Sequence, residues 1–230
     1  MTQSPQVNQI PRDVILWGGT GQAKVVRPII EYYGSNVIAV FDDTPDLLSP
    51  FPDVEIFQGK TGFERWRKSR DLSETGFCVA IGNPHGRARL QIHDFLIGEG
   101  LQPTTLAHPT AWIADDAMIG EGSQILAGAN IGVETRLGRE CIVNTNASVD
   151  HECILGDGVG IAPGATLCGL VHVEVNGWVC AGATIAPRKR IGPDAIVGAG
   201  AVVVDDVPGG VTVFGSPARS LVDVDPPGER

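Results

Sequence analysis

From Ile113 to Val203 the chain reads IADDAM IGEGSQ ILAGAN IGVETR LGRECI VNTNAS VDHECI LGDGVG IAPGAT LCGLVH VEVNGW VCAGAT IAPRKR IGPDAI VGAGAV V, with Ile, Leu or Val at every sixth position without exception. A second register, four residues after each of these, runs Ala117, Ser123, Ala129, Thr135, Cys141, Ala147, Cys153, Val159, Ala165, Val171, Gly177, Ala183, Lys189, Ala195, Ala201 and Val207; all but Lys189 are small. The residue directly after each aliphatic one is mostly Gly, Ala, Asn or Asp, types that tolerate a tight or left-handed corner. A repeat of six matches neither the period of about 3.6 of an α-helix nor the alternation of an isolated strand. It matches a coil whose every side is one short strand and one turn. The spacing therefore predicts a parallel β-helix from about residue 112 to 207, its aliphatic residues stacked along the inside.

The composition agrees with such a core. Aromatic residues make up 6% of the chain against 43% hydrophobic residues, and there are 30 glycines, so the interior must be built from small and branched aliphatic side chains. The 230 residues suffice for one large or two small domains without a disulfide or metal staple. With a formal net charge of -10 and no long basic block, the chain has no face to neutralise a row of phosphates, so no nucleic-acid partner is expected. The polar N-terminus and the lack of any stretch approaching about 20 apolar residues predict no membrane insertion and a cytoplasmic location. The five cysteines, Cys78, Cys141, Cys153, Cys168 and Cys180, form no CxxC pair and read as small core residues, and no metal site is expected.

The first hundred residues follow another rule. An apolar run, Asp13 to Trp17, leads into Gly18-Gly19-Thr20-Gly21-Gln22-Ala23-Lys24, then the helix-like VVRPIIEYYG, then Asn36 to Phe41, and then Asp42-Asp43. Strand, glycine turn, helix, strand and terminal acid is the layout of a mononucleotide-binding βαβ unit. The glycines allow backbone N–H groups to approach a phosphate at the helix N-terminus, and the acid can accept hydrogen bonds from a ribose or base. The spacing is not a full GxGxxG, and such turns also serve only to pack a helix on a strand. A further strand from Phe77 to Ile81 leads into Gly82-Asn83-Pro84 and a helix to about Gly98. Gly18, Gly21, Asp42 and Asp43 are the candidate substrate-binding residues of this unit.

The hexad pattern resembles the hexapeptide-repeat acyltransferases, whose coils are left-handed and which associate in threes with active sites between chains. The two halves together resemble the sugar acetyltransferases that modify nucleotide-linked 4-amino sugars in bacterial glycan synthesis, and their relatives that O-acetylate sialic acid. The shared motifs are the glycine turn, Phe41-Asp42-Asp43, Ile81-Gly82-Asn83, His108-Pro109, Asn144-Thr145, His151-Glu152-Cys153 and the closing Phe214-Gly215-Ser216-Pro217-Ala218-Arg219. The resemblance implies an α/β Rossmann-like nucleotide-sugar-binding domain over 13–107 and a left-handed parallel β-helix acyltransferase domain over 108–221, flanked by tails 1–12 and 222–230. It implies acetyl-CoA as cosubstrate and a homotrimer, and it adds Gln22, Gly82 and Asn83 to the candidate substrate-binding residues.

Acetyl transfer from a thioester needs a base and donors for the tetrahedral oxyanion. His151 lies two residues after Val149, on the flat of a coil rather than in the inward register, so its imidazole is expected to face outward toward a neighbouring chain, and the resemblance makes it the general base. Glu152 can hold the imidazole and leave one nitrogen free as acceptor, while Asn144 matches a position lining the same pocket. Gly164, Gly182 and Ala183 offer close backbone approach to the pantetheine arm. Arg188, Lys189 and Arg190 form the one basic cluster; they either pair with coenzyme A phosphates or make a solvated turn, and Arg219 is a second phosphate partner by resemblance. Two departures bear on the acceptor: relatives often carry a histidine where this chain has Gln22, and another where it has Gly160. The resemblance implies N-acetylation of an amino sugar, with O-acetylation of sialic acid or another sugar, or a non-catalytic nucleotide-binding scaffold, as alternatives; no residue in the sequence reports whether the acceptor is an amine.

Overall fold

The computed structural model describes residues 7–68 and 70–220, so residues 1–6 and 222–230 of the two expected tails lie outside it. Its first part is a parallel sheet with helices on both faces. Strand β1 (Asp13–Trp17) is central, pairing with β2 (Asn36–Asp42) on one side and β4 (Thr75–Val79) on the other. Strands β3 (Ile56–Gln58) and β5 (Gln102–Pro103) complete the order β3-β2-β1-β4-β5. Because both faces are covered, these strands are continuous apolar runs rather than alternating ones.

Side chains of β1 go alternately to two cores. Val14 and Leu16 join Ala23, Val26, Ile29 and Ile30 of α1 (Gly21–Tyr32), whose spacing of three and four puts one apolar face on the sheet. Ile15 and Trp17 join Phe63 and Trp66 of α2 (Gly59–Arg67) and Leu96 of α3 (Gly86–Gly98). The β3-α2 unit had no signature in the sequence. Strand β4 starts at Thr75 and ends at Val79, two residues before the expected span.

From Leu106–Ala107 onward the chain winds as a left-handed parallel β-helix. Each strand has two residues, and every third strand falls in the same sheet. One face presents Leu106, Gln124, Ile142, Gly160, Trp178 and Ile196 outward; a second presents Trp112, Asn130, Ser148, Thr166, Thr184 and Val202; a third presents Met118, Arg136, Ile154, His172 and Arg190. The following residue of each strand points inward, so the aliphatic register from Ile119 to Val203 is buried throughout, with Ile113 half-buried at the end of the stack. The small register is buried alongside it, Lys189 excepted.

Two details differ from the sequence reading. The left-handed residue of each corner is the third after the aliphatic one (Glu134, Glu140, Asn146, Glu152), not the first. Glycine directly after the aliphatic residue has another cause: a Cβ on Gly120 would lie 2.3 Å from Gly138 of the next coil, and one on Gly138 within 2.6 Å of Asp157. Also, Cys78, Cys141 and Cys153 are core residues, but Cys168 and Cys180 are only half-buried, because they follow the inward positions and turn toward a corner.

The first face of the β-helix carries the α/β domain. Leu106, Leu126 and Ile142 complete the α1 side of its core, and Gly86 at the start of α3 sits so close to Gly158 that a Cβ would lie 2.1 Å from its carbonyl oxygen.

Candidate active site

A cavity of about 480 Å³ opens at the C-terminal ends of β1, β2 and β4. Here the connection from β1 to β2 runs to one side of β1 and that from β3 to β4 crosses to the other, the crevice in which open α/β sheets hold ligands. Gly18, Gly21, Gln22, Asp42, Asp43, Gly82 and Asn83, all named from the sequence, line it together with Thr20, Thr44 and His85. Gly18 has φ +113, and a Cβ there would strike the Ala80 carbonyl at 2.3 Å, so the turn requires glycine. Gly21 and Gly82 leave open space instead.

The two acids divide their work. Asp42 accepts from the Gly19 N–H at 2.6 Å and the Thr44 N–H at 2.9 Å, which occupies both its oxygens and braces the glycine turn from within. Burial opposes its charge, but the Thr44 and Gly19 donors outweigh it and hold the carboxyl below its ordinary range. Asp43 instead lies over Gly59 at the start of α2, on the cavity rim. Gln22 reaches across to the β-helix: its side-chain amide donates to Gln124 Oε1 at 2.7 Å, and the Gln124 amide donates to the Val79 carbonyl at 2.8 Å. Asn83 rests on Gly160, where a Cβ would meet its amide at 2.1 to 2.5 Å. Space that a side chain at 160 would take is thus filled by Asn83.

His151 is far from this cavity in topology. It stands not on a flat, as expected, but at the corner between the second and third faces, because the strand ends at Val149; it follows Asp150, whose carboxylate accepts from its N–H at 2.8 Å. Its Nδ1 lies 2.9 Å from Glu152 Oε2, so Nδ1–H donates to the carboxylate and Nε2 keeps its lone pair. Both side chains are 46% accessible. The expected His151-Glu152 contact is therefore present. Asn144 stands at another corner, between the first and second faces, and its carboxamide oxygen accepts from the Thr145 N–H at 2.7 Å. Within one chain it does not meet His151.

The expected donor-binding residues also separate. Gly164 and Gly182 stack with Asn146 on the corner of Asn144, both with φ +66 and open space where a Cβ would be. Ala183 is fully buried, so its methyl serves the interior. Arg188 and Lys189 lie on the corner of His151, two coils further along, and make no ion pair among the described residues. Arg190 is paired with Glu174, and Arg219 lies 3.4 Å from Asp205. Among the described residues no group of three His, Cys, Asp or Glu side chains is arranged to hold a metal.

Comparison with known proteins resolves what kind of molecule this is. The family model of the PglD N-terminal domain matches residues 13–93. GDP-perosamine N-acetyltransferase of Escherichia coli O157:H7 is 39% identical over 154 residues, 63% of this chain and 67% of that one. PerB from Caulobacter crescentus, solved with CoA and GDP-perosamine, superposes with a TM-score of 0.80 at 32% identity, covering 90% of this chain and 96% of that one. The chain belongs to the hexapeptide-repeat sugar acetyltransferases. The acetyltransferase domain of PglB from Neisseria gonorrhoeae, solved with acetyl coenzyme A, gives a TM-score of 0.80 at 30% identity, covering 92% and 100%.

Two features of this family member escaped the sequence reading. The first is Gly169, one coil beyond His151: a Cβ there would lie 2.3 Å from Nε2 and 2.4 Å from Cε1, so the imidazole lies flat across the glycine. The eighteen-residue spacing between coils was the available signal. The second is a buried cluster at the seam between domains. Arg89 is fully buried and donates to the carbonyls of Glu140 (3.0 Å) and Gly158 (2.9 Å), and His93 Nδ1 lies 2.8 Å from Glu140 Oε1. Burial pushes the Glu140 carboxyl up to about 7, against the pull of His93, Arg89 and Arg139.

Proposed function

We propose that this protein transfers the acetyl group of acetyl-CoA to the amine of a nucleotide-linked amino sugar, of the 4-amino-4,6-dideoxy type, in cytoplasmic synthesis of bacterial surface glycans. It works as a homotrimer whose active sites form between chains. The observation that carries this reading is the division of the machinery among separate parts of the prism. The cavity rests on the first face, Asn144, Gly164 and Gly182 on the first–second corner, and His151, Glu152, Arg188 and Lys189 on the second–third corner. A cyclic, head-to-tail association brings the second–third corner of one chain against the first–second corner of the next. Val133 and Ile154, which flank His151, are 49% and 46% exposed, apolar surface suited to such a contact. The name of the Escherichia coli relative and the molecules bound in the solved ones, GDP-perosamine with CoA in PerB and acetyl coenzyme A in PglB, support the choice of acceptor and donor.

In this reading the α/β cavity holds the nucleotide and aims the sugar amine at the thioester. His151 Nε2 takes the amine proton as nitrogen attacks the carbonyl carbon, and Glu152 stabilises the resulting imidazolium. The Gly169 N–H, which donates to no acceptor among the described residues, faces the developing oxyanion. Collapse expels the coenzyme A thiolate, which recovers the proton from His151.

The test uses two variants of the full chain with acetyl-CoA and GDP-, UDP- and dTDP-linked 4-amino sugars. His151→Ala should lower turnover by about 10²–10⁴-fold, the usual value of general-base assistance. The loss should narrow at high pH, where an amine acceptor arrives deprotonated. Gly21→Trp should block the cavity, since no atom lies within 4 Å of a Cβ there. Co-expressed in one trimer, the two should restore measurable turnover, because a site formed by unlike chains is whole. Absence of recovery sinks the shared site; wild-type inactivity on all three sugar classes sinks the function.

A further inference from the structure

Arg89 is the most deeply placed cation among the described residues, and its five N–H groups are spread over both domains. Nε and Nη2 are anchored on the β-helix, at the carbonyls of Glu140 and Gly158. Nη1 points the other way and faces three oxygens of the cavity loop: the carbonyls of Ile81 and Gly82, each at 3.4 Å, and Asn83 Oδ1 at 3.3 Å. An arginine has no acceptor, so the Asn83 amide can face it only with its oxygen. That fixes the other end. The Asn83 NH₂ group makes no hydrogen bond among the described residues, is not among the buried unpaired atoms, and belongs to a residue lining the cavity. The amide is packed on Gly160, which closes that side to it.

We propose that Arg89 is a positioning residue that turns the Asn83 side chain so that its NH₂ group is presented to the cavity as a fixed hydrogen-bond donor, which selects a ligand oxygen there. The inference rests on the reading of the cavity as the nucleotide-sugar site. The ligand oxygen belongs to the diphosphate or to the sugar; both are acceptors. Among the described residues of one chain no lysine or arginine lines the cavity, while Asp42 and Asp43 do, so in this part of the site neutral donors carry the recognition of an anionic ligand. A site built to donate rejects a group that cannot accept, and reversing the donor is more damaging than deleting it.

Binding is measured by calorimetry on the full chain, with GDP, GDP-perosamine and acetyl-CoA as probes. Asn83→Asp keeps the shape and pairs with Arg89, so it folds, but it offers an oxygen to the cavity. It should weaken GDP-perosamine by at least about tenfold, more than Asn83→Ala does, with acetyl-CoA affinity unchanged. A parallel loss for GDP assigns the diphosphate; a loss confined to GDP-perosamine assigns the sugar. Arg89→Lys, which lacks the fork, should raise KM for the nucleotide sugar rather than that for acetyl-CoA. Its effect should be non-additive with Asn83→Asp, whereas a merely structural Arg89 would give additive losses and a lower melting temperature without the selective KM change. Asn83→Asp binding GDP-perosamine as tightly as wild type overturns the proposal alone. Failure of the wild type to bind either nucleotide probe overturns the proposal together with the functional reading beneath it.

Discussion

The two halves of this chain solve the problem of a core with different materials. In the α/β domain Phe41 touches Trp17, Phe57, Phe63 and Trp66 at ring-centroid distances of 5.4 to 5.5 Å, and Phe63 and Trp17 pack on Phe95. Among the described residues no aromatic side chain lies inside the β-helix; the core is one column of Ile, Leu and Val beside one of small residues, Ala, Cys, Ser, Thr, Gly and Val, broken at Lys189. A layered sheet leaves gaps of varied shape between helix and strand, which large rings fill. A coil of fixed cross-section repeats one shape, so each position must repeat one size. Aromatic cores concentrate stability in a few residues, whereas stacked coils spread it among neighbours.

The largest expected effect follows from that contrast. Phe41 is fully buried at the centre of the ring cluster, and Phe41→Ala should cost about 3–5 kcal/mol through lost burial and the cavity left behind. The loss should be local. Hydrogen exchange should show β1, β2 and β4 amides losing protection by several orders of magnitude while coils beyond Thr166 keep theirs. Equal loss in both halves would mean that the two cores form one cooperative unit and that the contrast has no energetic content.

The same contrast explains what could be read in the sequence. A coil repeats its environment every eighteen residues, so the β-helix, its inward registers and the outward place of His151 were legible from spacing alone. The cavity was legible because its shape depends on backbone, at Gly18, where only one residue type fits. Asp42 was visible as an acid at a strand end, but not that its oxygens are spent on Gly19 and Thr44. Contacts across the seam carry no period: Arg89 to Glu140 spans 51 residues and Arg89 to Gly158 spans 69. The β3-α2 unit stayed hidden because a three-residue strand is too short to show alternation.

The seam itself gives the next effect. Glu140 is fully buried, one carboxylate oxygen on His93 and the other unpaired. With its carboxyl pushed from 4.5 up to about 7, the folded chain holds a proton there that the unfolded chain releases. Stability should therefore fall as pH rises from about 4.5 to 7 and level off above, a change of about 3 kcal/mol. Aspartates held below their ordinary range, such as Asp42 and Asp194, act in the opposite sense and only below about pH 4. Glu140→Gln cannot ionise and should flatten the melting-temperature profile between pH 5 and pH 7. A variant that keeps the wild-type slope would place the titration elsewhere.

The smallest effect on stability is expected at the corners, where the β-helix is least constrained by its own core. Gly182 has φ +66 and empty space about its Cβ direction, and Asn146 already occupies the equivalent corner two coils earlier with φ +54. Asparagine tolerates this backbone conformation, so Gly182→Asn should change stability by no more than about 0.5 kcal/mol, as ordinary surface substitutions do. Glycine there is then not a requirement of folding. If Gly182 instead gives the pantetheine arm its close approach, the same variant should raise the KM for acetyl-CoA severalfold, leave that for the nucleotide sugar alone and spare the melting temperature. An unchanged KM would move the donor groove off this corner, and a large drop in melting temperature would show that the corners, like the sides, are fixed by packing.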